Sequence, residues 1–113
     1  MSWEVEATPE FDQWFSNLEQ SAKVDVAAKL ALLRDTGPTL GRPHADTVKG
    51  STYPNMKELR IKRHQIRVFF AFDPRRVGVL LVGDAKVGDD RFYDRMVAKA
   101  DAVYSRHLES LGS

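Results

Sequence analysis

Residues 56–86 read Met-Lys-Glu-Leu-Arg-Ile-Lys (56–62), Arg-His (63–64), Gln-Ile-Arg-Val-Phe-Phe-Ala-Phe (65–72), Asp-Pro-Arg-Arg (73–76) and Val-Gly-Val-Leu-Leu-Val-Gly-Asp-Ala-Lys (77–86). Runs rich in β-branched and aromatic residues, split by two short breaks, predict a three-strand antiparallel meander. Side chains alternate between the faces of a strand. With the first turn at Arg63-His64, Leu59 falls opposite Val68 and Ile61 opposite Ile66, so one face is apolar on both strands. The other face carries Glu58, Arg60 and Lys62 against Gln65, Arg67 and Phe69, with Arg60 directly opposite Arg67. Centring the second turn on Pro74-Arg75 lines Arg67 up with Val82, and Asp84 and Lys86 follow on that same face. The expected buried face is Leu59, Ile61, Val68, Phe70, Val79 and Leu81.

Like charges directly opposite on neighbouring strands cost roughly 0.2–1 kcal/mol. The Arg60/Arg67 pair is therefore either compensated by Glu58 and Asp84 or built to hold an anion. Residues 57–67 hold five Lys or Arg against one Glu, so this segment carries 5 − 1 = +4, while the whole chain has a net charge of only +1. Local basic density attracts a phosphate backbone even where the net charge is small. Basic strands also protect sheet edges.

Before the meander, Trp3, Val5 and Ala7 alternate with Glu4 and Glu6 and predict a short strand. Thr8 and Pro9 then suit the N-cap and first position of a helix, and Phe11, Trp14, Phe15 and Leu18 form its core stripe. A second helix is expected to start at Ser21 and to end at Gly37-Pro38, with Ala27, Ala28, Leu30, Ala31, Leu32 and Leu33 as its apolar side. The two helices read as a hairpin. Residues 39–55 read as a long loop in which Arg42, His44, Lys49 and Tyr53 either face a nucleic acid or serve as connectors. After the meander, Asp89 or Asp90 is the expected cap of a final helix over 91–111, with Tyr93, Met96, Val97, Ala100, Tyr104, Leu108 and Leu111 turned inward. Strand, helix hairpin, meander and helix in that order predict an α+β fold. A length of 113 residues suits one domain.

Several chemistries are disfavoured. The chain has no cysteine, and His44, His64 and His107 lack metal-ligand spacing, so neither a metal nor another cofactor is expected. No Gly-rich turn links a strand to a helix, and no serine sits in a nucleophile elbow. No apolar run is long enough to span a membrane, and the N-terminal Met-Ser-Trp-Glu-Val-Glu does not resemble a secretory signal. A cytoplasmic protein without membrane contact is expected. A basic face without a cofactor suits RNA cleavage, because the ribose 2′-OH supplies the nucleophile. Arginines bind phosphate oxygens bidentately, and a lysine crowded by arginines exchanges protons nearer neutral pH.

The segments Leu40-Gly41-Arg42-Pro43, Met56-Lys57-Glu58-Leu59-Arg60 and Ile66-Arg67-Val68-Phe69-Phe70-Ala71-Phe72, with Lys86 after an apolar strand, resemble the RelE/HigB superfamily of bacterial toxins. More narrowly they are similar to its HigB or phage-derived Gp49-like branch. The resemblance implies the toxin of a type II toxin–antitoxin pair, which cleaves mRNA on the ribosome without a metal. It implies a cognate antitoxin, HigA-like with a helix-turn-helix domain, and contact with operator DNA only through the antitoxin complex. The outer faces of the first two helices and the sheet edge are candidate antitoxin surfaces.

Carried over by position, Arg60 and Arg67 are the strand arginines that clamp phosphate. Lys86 assists proton transfer or stabilises charge, and Asp84 orients Lys86 or an arginine. Tyr93 stands nearest to the family's late catalytic His or Tyr and reads equally well as a buried helix residue. Lys57, Lys62, Arg63, His64, Arg42 and Lys49 are the candidate RNA-binding residues, with His64 either a proton carrier or a surface turn residue. Two other functions share the fold: a ParE-like poison of DNA gyrase, and a degenerate toxin that only binds its antitoxin.

Overall fold

The computed structural model describes residues 2–88 and 90–112. In chain order its elements are β1 (Val5–Ala7), α1 (Pro9–Ser16), α2 (Gln20–Thr36), β2 (Ala45–Thr47), β3 (Lys57–Ile61), β4 (Ile66–Phe72), β5 (Gly78–Ala85) and α3 (Phe92–Leu111). The strands form one sheet in the order β1-β5-β4-β3-β2. Among the described residues only the β1–β5 pair is parallel. The α+β class, the N-terminal strand, the two successive helices, the meander and the C-terminal helix are as the sequence predicts.

The β3–β4 register follows the alternation: Leu59 opposes Val68, Ile61 opposes Ile66 and Arg60 opposes Arg67. The connecting turn is one 3-10 turn over Lys62–His64, closed by Gln65 in the left-handed region at φ 55°. The β4–β5 register differs from expectation, because Arg67 opposes Asp84 rather than Val82. Two single-residue offsets produce this. Arg76 adopts φ 66° and lengthens the turn, so Phe72 pairs with Gly78, and a bulge between Phe69 and Phe70 adds the second offset.

Between the two offsets the faces of β5 are exchanged relative to the expectation. Leu80, not Val79 or Leu81, packs with Leu59, Ile61, Val68 and Phe70. Val79 and Leu81 lie on the opposite face with Phe69, Ala71 and Val82. Two offsets sum to an even number, so Asp84 and Lys86 return to the side of Arg67.

Both faces of the sheet are covered. On one lie Phe11 of α1 and Ala22, Val26 and Leu33 of α2. On the other lie Phe92, Met96, Val97, Ala100, Val103 and Tyr104 of α3. Phe69 and Phe70, neighbours in β4, are both fully buried in opposite cores, each worth about 1.5–3 kcal/mol of transfer energy. The apolar stripe of α3 thus includes Phe92 and Val103 beyond the expected set, while Leu111 is exposed. In α2, Ala27, Ala28 and Ala31 point to solvent, contrary to expectation. Their small side chains gave the sequence no phase, and the helix is set instead by Val26 and Leu33.

Thr8 caps α1 as predicted, its Oγ1 accepting from Phe11 N at 3.2 Å while its hydroxyl reaches the carbonyls of Leu80 and Leu81. The α2 N-cap is Glu19 rather than Ser21, whose hydroxyl donates to Glu19 Oε1 at 3.0 Å. Gly37 ends α2 at φ 77°, with the Trp3 indole packed where a side chain would project. The helix α3 has Arg91 at its N-cap position; Asp90 lies in the preceding turn and does not cap, and Asp89 lies outside the described residues.

The expected loop 39–55 contains the fifth strand. β2 pairs with β3 through Ala45 opposite Leu59 and Asp46 opposite Glu58. Three residues with an aspartate at the centre are too short and polar to announce a strand, and the pairing is imposed by the partner. The rest of the loop docks on α3, where Asp101 accepts from Ser51 Oγ at 2.5 Å and Thr52 N at 2.9 Å, and the Tyr53 hydroxyl meets Ser105 Oγ. Among the described residues no helix is long and apolar enough to cross a membrane.

Candidate active site on the α3 face of the sheet

Arg60, Arg67 and Asp84 form a row across β3, β4 and β5, each directly beside the next in register. They occupy the polar end of the face whose other end is buried under α3. Helix α3 begins beside this row and brings Tyr93 onto it. The Lys86 ammonium lies over the Tyr93 ring, 4.9 Å from its centroid. All five residues assigned to catalysis from the sequence therefore share one face.

At the floor of this face sits Glu58, only 6% exposed. Its Oε1 accepts a hydrogen bond of 2.8 Å from the Tyr93 hydroxyl. Arg67 Nε is 3.6 Å from the same oxygen, an ion-pair distance, and the Arg67 side chain is 11% exposed. Arg67 also donates to the carbonyl of Ile66 at 3.2 Å. Burial, and then the hydrogen bond to Glu58, push the Tyr93 phenol above its ordinary value, with Arg67 opposing. Tyr93 is thus a neutral hydroxyl at physiological pH.

Arg60 differs from Arg67. It makes no side-chain hydrogen bond or ion pair among the described residues, although it is half-buried. Asp84 is turned toward α3, with its Oδ2 3.4 Å from Arg95 and its Oδ1 accepting from Ala85 N at 2.8 Å. The sequence carried no sign of Arg95 as the partner of Asp84. Glu58 was visible as the acid of Glu-Leu-Arg, in phase with Arg60, but its burial under Tyr93 was not.

The six residues assigned to RNA binding divide between the two faces. Lys49 borders a small cleft of about 320 Å3 against Tyr93, Asp94 and Asp101, next to the active face. Arg42 is exposed at the β2 edge, with its Nε 2.9 Å from Asp46, and this pairing lowers the Asp46 carboxyl and raises the guanidinium. The other four lie toward α2. Lys57 donates to the carbonyls of Pro38 and Leu40 at 3.0 and 2.8 Å, and burial lowers its ammonium. Its position in phase with Leu59 and Ile61 was the available signal. His64 Nε2 is 3.0 Å from Asp25 of α2, Arg63 is 3.7 Å from the same carboxylate, and Lys62 is exposed beside them. Among the connector candidates, His44 Nδ1 is 2.7 Å from Lys29.

Residues 13–105 match the family model described as phage-derived protein Gp49-like. The chain belongs to this Gp49-like family. It is 46% identical over 103 residues to the protein named toxin HigB3 of Mycobacterium tuberculosis, covering 90% of each chain. Its fold is similar to the isolated RelE toxin of E. coli, with a TM-score of 0.65 at 8% identity over 83% of this chain and 95% of RelE. It is also similar to RelE in the archaeal RelE–RelB complex of Pyrococcus horikoshii, with a TM-score of 0.62 at 11% identity over 79% of this chain and 100% of that one. Sequence and fold thus agree on the RelE/HigB superfamily.

Proposed function

We propose that this Gp49-like chain is the toxin of a type II toxin–antitoxin pair and acts as a metal-independent, ribosome-dependent mRNA endoribonuclease. Membership of the family, the HigB3 relative and the RelE fold support the toxin assignment. The pairing of Arg60, which makes no ion pair among the described residues, with Arg67, on a face that also holds Tyr93 and Lys86, supports the chemistry. A fold gains nothing from two adjacent guanidinium groups unless an anion joins them.

In this mechanism Arg60 and Arg67 grip the two non-bridging oxygens of the scissile phosphate. Their fixed charge stabilises the pentacoordinate state as negative charge accumulates. The 2′-OH attacks phosphorus and the bond to the 5′-oxygen breaks, leaving a 2′,3′-cyclic phosphate. Tyr93 faces the attacking hydroxyl, and Lys86 supplies the proton that the leaving oxygen needs. Asp84, held by Arg95, keeps the end of β5 in place beside Arg67. The protein works in the cytoplasm on mRNA in the ribosome. A cognate antitoxin neutralises it, and operator DNA is reached only through that complex. The RelB chain in the Pyrococcus structure is the precedent for such a partner.

The test is induction without antitoxin, followed by mapping of mRNA 5′ ends, with Arg60→Ala as the control. Cuts inside translated codons that vanish in the variant are expected. Intact mRNA with DNA breaks would mean a gyrase poison, and normal growth with intact mRNA a degenerate toxin.

A further inference from the structure

We infer that Glu58 is a positioning residue that turns Tyr93 into a proton conduit: the Tyr93 hydroxyl takes the proton of the ribose 2′-OH while passing its own to Glu58. The inference rests on the ribonuclease reading and deepens it.

A phenol whose ionisation is opposed by burial cannot act as a base through its phenolate near neutral pH. Burial and Glu58 hold Tyr93 in that neutral state. Its proton is already committed to Glu58 Oε1 at 2.8 Å, and Arg67 lies against Oη as a donor, so one lone pair of Oη is left to accept from the substrate. Glu58 itself is covered by Tyr93 and Arg67 and cannot meet a substrate directly. A carboxylate this deeply buried is costly unless paired, and Arg67 is the cation at ion-pair distance from it. The same Arg67 grips the phosphate in the proposed mechanism, so one carboxylate aligns both the proton path and a phosphate clamp.

The step balances. The 2′-O–H bond breaks and its proton goes to Tyr93 Oη, as the Tyr93 proton moves to Glu58 Oε1. The 2′-oxygen bonds phosphorus, the bond from phosphorus to the 5′-oxygen breaks, and the leaving oxygen takes a proton from Lys86. Glu58 returns its proton through Tyr93 to solvent, and Lys86 is reprotonated from solvent. The groups that face Glu58 are Tyr93 from α3, Arg67 from β4, and Asp46 and Arg42 from the β2 side, with Arg60 two residues along β3.

The test is single-turnover cleavage on mRNA-programmed ribosomes. Glu58→Gln keeps an oxygen for Tyr93 to donate to but cannot take up a proton. The expected result is a maximal rate lowered by roughly 100-fold or more. The half-saturating ribosome concentration should stay unchanged. Tyr93→Phe should lose as much, and the double variant no more than either single one. That non-additivity carries the test even if Glu58→Gln lowers stability. Wild-type cleavage rates in folded Glu58→Gln, or a defect confined to ribosome affinity, would overturn the relay alone. A wild-type protein that cuts no mRNA would overturn the ribonuclease reading and the relay with it.

Discussion

Arg60 and Arg67 face each other across β3 and β4, yet among the described residues only Arg67 has a carboxylate within ion-pair distance. The two arginines should therefore respond oppositely to removal. Arg60→Ala deletes a repulsion and no ion pair, so stability should be unchanged or rise by up to about 1 kcal/mol. Arg67→Ala leaves Glu58 buried without the cation at ion-pair distance and should cost about 3–5 kcal/mol. Both should lose growth inhibition. Urea denaturation at pH 7 separates them, and equal destabilisation would contradict the asymmetry.

Lys57 is a basic residue of the same segment with a different fate. Its ammonium is spent on the carbonyls that follow α2. Lys57→Met should destabilise by about 1.5–3 kcal/mol, since those carbonyls lose a charged donor. mRNA cleavage per folded molecule should stay at the wild-type level. A selective loss of cleavage with unchanged stability would place Lys57 back among the RNA contacts.

Much of this was legible in the sequence. The β3–β4 register follows from Leu59, Ile61, Ile66 and Val68 alone, because a slip by one residue would bury Arg60 and Arg67. The second register was not legible, since a positive φ at Arg76 and a bulge at Phe69/Phe70 leave no compositional mark. The expected face survived at Asp84 and Lys86 only because the two offsets cancel in parity. β2 was missed because its strand character comes from β3 across a long loop. Glu58 and Arg95 were missed as site residues for the same reason, as their roles arise when α3 crosses back onto the sheet. Local pattern carries phase, and it does not carry contacts made across distant segments.

Gly83 follows from that crossing of elements. It faces Trp14 of α1, and a methyl group there would stand 2.6–2.8 Å from the indole ring. Gly83→Ala should cost about 1–3 kcal/mol through overpacking. The neighbouring Asp84 should be dragged out of line with Arg67, so cleavage should fall as well. Trp14→Leu in the same molecule should restore part of both. A double variant no more stable than Gly83→Ala would show that the strain lies elsewhere.

The turn between β4 and β5 is held by Asp73, whose side chain is fully buried. Burial alone would raise its carboxyl, but His107, Arg75 and the amides of Val77 and Arg75 together hold it below the ordinary value. Its folded-state pKa thus lies below the unfolded value of about 3.9. The ionised Asp73 therefore contributes its full stabilisation above that value and loses it as pH falls through the lower folded value. Asp73→Asn should cost about 2 kcal/mol near neutral pH, where charged hydrogen bonds are lost. The difference from wild type should shrink on acidification, because a protonated aspartic acid and an asparagine are both neutral. Urea midpoints of the two proteins at pH 7, 5 and 3 give the comparison, and a constant gap down to pH 3 would refute the coupling. Helix α3 is the second readout, since His107 Nε2 ties it to Asp73 at 2.9 Å. Amide exchange in the last turns of α3 should therefore quicken in Asp73→Asn, while that around Tyr93, at the other end of the helix, stays as in the wild type.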